Sequence, residues 1–239
     1  MIRLLSARVA LLLTAAVAVS SGLSAASADQ TDDPYIKAGA RVVDVSFAGA
    51  LARAQRGEAT AQSSLGIMYY IGQGVPQDYT AAFSWCRKAA EQGEASAQFN
   101  LGLMYDKGQG VAQDYVKALS WYLKAAEQGL SASQHRLGSM YYIGQGVPQD
   151  YAAAAKWSLQ VAEQGDAGAQ YNLGLMYHDG RGVPQDYVQA HKWYNLAGAG
   201  AATHDIREYA INNRDIVAAK MQPAQIPEAQ RLASAWRRK

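Results

Sequence analysis

One cysteine and four histidines are the residues best suited by type to covalent or metal chemistry. Cys86 fills a slot held elsewhere by Tyr122, Ser158 and Tyr194, and no acid–base partner can be assigned to it, so it reads as one variant of a tolerant position and not as a nucleophile. His135, His178, His191 and His204 form no spacing that sets two ligands on one helical face, so no metal site is expected. His-Glu-x-x-His and Gly-x-Ser-x-Gly are missing. The glycines of Gly72-Gln73-Gly74 and their later copies suggest a phosphate loop, but no Lys-Ser/Thr follows and no strand precedes them. A turn between helices explains them better. No catalytic residue and no cofactor is expected, and the chain reads as a non-enzyme.

The elements that position these residues emerge when the sequence is slid against itself. Gly66, Gly102, Gly138 and Gly174 lie 36 apart, as do Trp85, Trp121, Trp157 and Trp193, and Asp78, Asp114, Asp150 and Asp186. A repeat of this length signals a solenoid whose units bury their faces against each other. Four copies run over 58–93, 94–129, 130–165 and 166–201; Phe47 stands 36 before Phe83, so a half-repeat helix is expected to close an N-terminal segment, 29–57. Within one copy Ala97, Leu101, Met104 and Tyr105 share one helical face. Gly108-Gln109-Gly110 ends that helix, Asp114 caps a second, and Ala118, Trp121, Ala125 and Ala126 form the second helix's apolar face before Gly129 stops it. Each copy is therefore a helical hairpin, and the fold class is all-α: a right-handed α/α superhelical solenoid of antiparallel helix hairpins. A mid-helix glycine costs ~1 kcal/mol relative to alanine. Its recurrence implies close approach of the two helices, with the tryptophans in the core between hairpins.

Residues 1–28 read as a signal peptide: Arg3 and Arg8, an apolar run from Val9 to Val19 broken by Thr14, and Ala26-Ser27-Ala28 as a small-residue cleavage site. The run is too short for a span of ~20 residues, so no membrane insertion is expected, and the protein is placed in the periplasm or outside the cell. The full chain of 239 residues carries 22 basic and 20 acidic side chains and no long basic tract, which sets nucleic acid aside as a partner. One cysteine permits no intrachain disulfide. Residues 202–239 are expected to form a mildly basic C-terminal helical cap, with a loop to about 226 and a helix from Pro227 to Trp236.

The stretch Ala169-Gln170-Tyr171-Asn172-Leu173-Gly174-Leu175-Met176-Tyr177, followed by Gly180-Arg181-Gly182-Val183-Pro184-Gln185-Asp186-Tyr187, resembles the Sel-one-like repeat family, close kin of tetratricopeptide repeats. The resemblance covers 58–201 and implies an adaptor that binds a protein or peptide; separately from it, a monomer is expected. Some members have been described as penicillin-binding or β-lactamase-like, so a cell-wall hydrolase or penicillin-recognising protein is the alternative. The cysteine pairs of those members, Ser-x-x-Lys and Lys-Thr-Gly are all missing from the mature chain.

Carried over from the tetratricopeptide groove, the partner-binding residues are Phe99, His135 and Tyr171, then Leu103 and Leu175, with Asn100, Arg136 and Asn172 beside them. Tyr70, Asp106, Tyr142 and His178, and then Ile71, Lys107, Ile143 and Asp179, extend the same stripe. In this reading the carboxamides and the guanidinium hold a peptide main chain while the aromatic and aliphatic residues take its side chains. Tight curvature of the array is the competing claim on the stripe, since packing buries such residues.

Overall fold

The computed structural model describes residues 46–238; the signal-peptide reading and most of the N-terminal segment lie outside them. Among the described residues eleven helices are present: α1 (Phe47–Gln55), α2 (Ala59–Ile71), α3 (Tyr79–Glu91), α4 (Ala95–Lys107), α5 (Tyr115–Glu127), α6 (Ser131–Ile143), α7 (Tyr151–Glu163), α8 (Ala167–Asp179), α9 (Tyr187–Gly200), α10 (His204–Ala218) and α11 (Gln225–Ala235). Two compact units result. The first holds 46–137 with 145–147, the second 138–144 with 148–238. Each is a stack of antiparallel hairpins, the local architecture of an α/α solenoid.

The hairpin follows from its caps. Asp78 accepts hydrogen bonds from the backbone N–H of Thr80 and Ala81 at 2.9 and 3.0 Å, Asp114 from Lys117 at 2.9 Å, Asp150 from Ala152 and Ala153, and Asp186 from Gln189. Upstream, the first helix ends on a left-handed glycine, Gly108 at φ 68°. Gln113 then returns its side-chain N–H to the Asp106 carbonyl at 2.7 Å, and Gln77, Gln149 and Gln185 do the same in their own copies. The turn thus satisfies the carbonyls that a helix C-terminus leaves open.

The mid-helix glycine is explained by what faces it. A β-carbon on Gly102 would stand 2.8 Å from the ring of Tyr122, which is fully buried. The residue packed there is the one after the tryptophan, which corrects the expectation that the tryptophans fill the core: Trp85, Trp121 and Trp157 are half-buried, and only Trp193 is buried. Lys88, Lys124 and Lys192 lay their ammonium groups over Trp85, Trp121 and Trp193 at 4.0–4.3 Å.

Consecutive hairpins are joined by buried carboxamides. Gln62, Gln98, Gln134 and Gln170 donate to the carbonyls of Ala54, Ala90, Ala126 and Ala162 at 3.1–3.3 Å. Each reaches back across the turn to the preceding helix, so one side chain per copy sets how the next hairpin leaves the last.

The C-terminal cap contains α10 and α11, so the expected loop to about 226 is corrected: α10 occupies His204–Ala218 and only the short stretch between the two helices is left outside them. Its last helix begins at Gln225, two residues before the expected start. Pro227 is its third residue, where the N–H is one of the four that a helix leaves unbonded, so the ring costs no hydrogen bond. Ala210, Val217, Met221 and Ala229 from this region cluster with Tyr171, Tyr194 and Ala197.

Candidate binding face and hairpin seams

Of the eight residues assigned to partner binding, five are buried. Phe99 is 0% exposed, Leu103 1%, Tyr171 3%, Asn172 4% and Asn100 6%; His135, Arg136 and Leu175 are half-buried. The open aromatic groove is thereby corrected: packing claims Phe99, Leu103 and Tyr171. Phe99 lies against Tyr122 with ring centroids 5.6 Å apart, and Tyr171 against Tyr194 at 5.7 Å. Asn213 of α10 also donates to the Tyr171 hydroxyl at 2.8 Å, and burial pushes that phenol up to about 12. What reaches solvent on the first helices is their C-terminal end: Lys107, Ile143 and Asp179 are exposed and Ile71 is half-buried.

The helix ends and loops carry polar contacts that differ between neighbouring hairpins. In the first unit the Tyr70 hydroxyl donates to Gln109 at 2.5 Å. In the second, Arg181 donates to the Tyr142 hydroxyl at 2.7 Å. The hairpins between carry Asp106 and His178 instead, which meet Tyr122 and Tyr194 at 3.3 and 3.5 Å. The pattern therefore repeats every 72 residues, as the sequence does: Met68–Tyr79 and Met140–Tyr151 are identical over twelve positions. A 36-residue alignment read the differences as tolerance, whereas a 72-residue alignment shows them as alternation.

His178 is the most connected titratable group. Lys220 lies 2.9 Å from its Nε2, Tyr187 packs edge-on at 5.9 Å between ring centroids, and Asp179 adjoins it. Burial and then the Lys220 charge hold its pKa below the ordinary value. His191, buried on α9, is lowered by burial and then by Arg214. Cys86 is buried and its thiol is pushed up to about 12, which leaves it protonated and unreactive at neutral pH. Among the described residues no cluster of three metal-ligating side chains occurs, and no helix is long and apolar enough to cross a membrane.

The Sel1 repeat family matches residues 59–94, 95–130, 131–166 and 167–200, one match per hairpin. The chain belongs to the Sel1 repeat family. Its members are generally protein-interaction scaffolds and typically non-catalytic. A Sel1 repeat protein from Oxalobacter formigenes is similar at 32% identity, with 76% of this chain and 75% of that one covered and a TM-score of 0.64. The c5321 protective antigen of uropathogenic Escherichia coli, which displays the same repeat fold, is 30% identical over 80% of this chain and 55% of its own, with a TM-score of 0.41. An immunity protein of Pseudomonas aeruginosa, Pa5087, is 17% identical over 86% and 84%, with a TM-score of 0.43. No curated protein matches the chain. With the O. formigenes structure as a like-folded neighbour, this Sel1 repeat protein is an all-α solenoid of helix hairpins.

Proposed function

We propose that this Sel1 repeat protein is an exported, monomeric scaffold that binds a protein or extended peptide along the C-terminal ends of its first helices. The observation that supports this face is how those helices divide their positions. Motif positions common to all copies, such as Leu65, Leu101, Leu137 and Leu173, are buried, whereas the last turn reaches solvent and varies. Each unit there offers one apolar and one charged side chain: Ile71 with Lys107, and Ile143 with Asp179. Positions relieved of a shared packing duty are available for recognition; His135 and Arg136 in the first unit, and Leu175 in the second, are half-buried.

A photocrosslinking residue placed at Lys107 or Ile143 should capture one common protein species from the envelope fraction, and the same residue at Arg87, exposed on α3, should capture none of it. Capture from Arg87 as strong as from Lys107 and Ile143, or no capture from Lys107 and Ile143, rejects this face. Export requires mature protein beginning at Asp29 outside the cytoplasm, and full-length protein confined to the cytoplasm rejects it.

A further inference from the structure

The 72-residue alternation builds one small cavity into each unit. In the first it lies at the seam of two hairpins, lined by Ile67, Cys86, Asn100, Leu103 and Met104; in the second, at the equivalent seam, by Gly138, Ser158, Asn172, Met176 and Arg181. At both seams a short side chain, Cys86 or Ser158, stands where the other two hairpins carry the larger rings of Tyr122 and Tyr194; the Cys86 sulfur still lies against Gly66, whereas Ser158 leaves Gly138 open. Each cavity is about 10 Å³. That is close to the least volume that admits one water and too small for any side chain of a ligand.

Each cavity contains polar groups that a fully apolar seam would not. Asn100 is 6% exposed, and neither its Oδ1 nor its Nδ2 has a protein hydrogen-bond partner; Asn172 is 4% exposed, and its Oδ1 has none. A buried carboxamide left in this way is costly, and a water able to both donate and accept removes the cost. The first cavity supplies the two Asn100 atoms and the Cys86 thiol as partners, with Tyr70 also in its lining; the second supplies Asn172 Oδ1 and the Ser158 hydroxyl, with Tyr142, Asp179 and Arg181 also in its lining. Two to four polar partners are what a permanently buried water uses.

We infer that each two-hairpin unit binds one structural water, held by Asn100 in the first unit and by Asn172 in the second. The ligand class is water itself, and these two asparagines are its binding residues, not contacts to a peptide main chain. Because a hydroxyl bonds water better than a thiol does, the water beside Ser158 is the longer-lived of the two.

The test is a high-resolution crystal structure of the mature protein joined to water–amide NOE and ROE measurements in solution. Expected are a fully occupied water within ~2.7–3.2 Å of Asn100 and another within that distance of Asn172 Oδ1, each with long-lived cross-peaks to neighbouring amides. Ser158→Tyr, which copies the residue of the alternate hairpins, should remove the second water and leave the first, and adding Cys86→Tyr should remove both. Dry cavities, asparagine side chains turned out to solvent, or cross-peaks that persist in a folded Ser158→Tyr protein overturn the inference. If the tyrosine variants do not fold, the wild-type density and cross-peaks still decide it.

Discussion

Phe99 and Trp121 exchange the roles that their sequence positions suggest, and the reason is local. Trp121 recurs in every copy but lies half-buried under the Lys124 ammonium, whereas Phe99 varies between copies yet is sealed against Tyr122. Phe99→Ala should therefore cost ~3–5 kcal/mol in urea unfolding, and Trp121→Ala less than Phe99→Ala. The reverse order would return the tryptophan to the core. Two glycines at equivalent places make a second pair. Gly102→Ala drives a methyl into the buried Tyr122 ring and should lower stability by ~1–3 kcal/mol, while Gly138 has Ser158 Oγ at 3.4 Å and the Ala154 carbonyl at 3.7 Å, ordinary contact distances, so Gly138→Ala should be neutral or stabilise by up to ~1 kcal/mol. Both are read from the shift in thermal midpoint. The helical face, its glycine stop and its Asp cap were legible in one copy of the sequence. The size of the side chain opposite each glycine was legible only when alternate copies were compared. Ser63 goes with Cys86, Phe99 with Tyr122 and Tyr171 with Tyr194, small with small and large with large, while His135 goes with the small Ser158.

At the scale of elements, the carboxamide clasp and the cap helix carry separable consequences. The four clasp glutamines sat in plain view at a period of 36, but a polar residue on an apolar face gives no hint of its partner until the preceding helix is in place. Gln98→Leu leaves the buried Ala90 carbonyl without that donor and should cost ~1–3 kcal/mol by chemical denaturation. A change within ~0.5 kcal/mol would show the clasp to be dispensable. The cap helix α10 adds a pH dependence. His178 and His191 both have folded pKa values below the ordinary 6.5, and they face Lys220 and Arg214 from the cap. A base whose pKa is depressed by folding binds fewer protons in the native state, so its contribution is full above about pH 6.5 and declines as pH falls from there toward the depressed value. Amide protection factors across 204–221, taken relative to the intrinsic exchange rate at each pH, should therefore fall between pH 7 and pH 5, and His178→Gln should flatten part of that response. Protection factors that do not change with pH would separate the histidines from cap docking.

For the whole molecule, the repeat period was enough to predict an all-α hairpin array, while the open groove was not foreseeable as closed, since curvature and seam packing depend on pairs of residues in different copies. The array also needs an end. The apolar face of α9, with Tyr194 and Ala197, is covered by Ala210, Val217, Met221 and Ala229. A chain lacking 202–239 should expose that face and self-associate, visible as a rise in scattering mass on size-exclusion chromatography. A well-behaved monomer would mean that the cap is not required for solubility. The identity of Met68–Tyr79 with Met140–Tyr151 reaches beyond one molecule. A deletion or duplication of the 72 residues between the two matching tracts would lose or gain two hairpins together. The junction keeps its native turn, Asp cap and tyrosine spacing, so each altered chain retains the alternation of small and large residues. A chain shortened or lengthened by 72 residues between these tracts would therefore change by two hairpins and keep its seams, which makes the pair, and not the single hairpin, the exchangeable part.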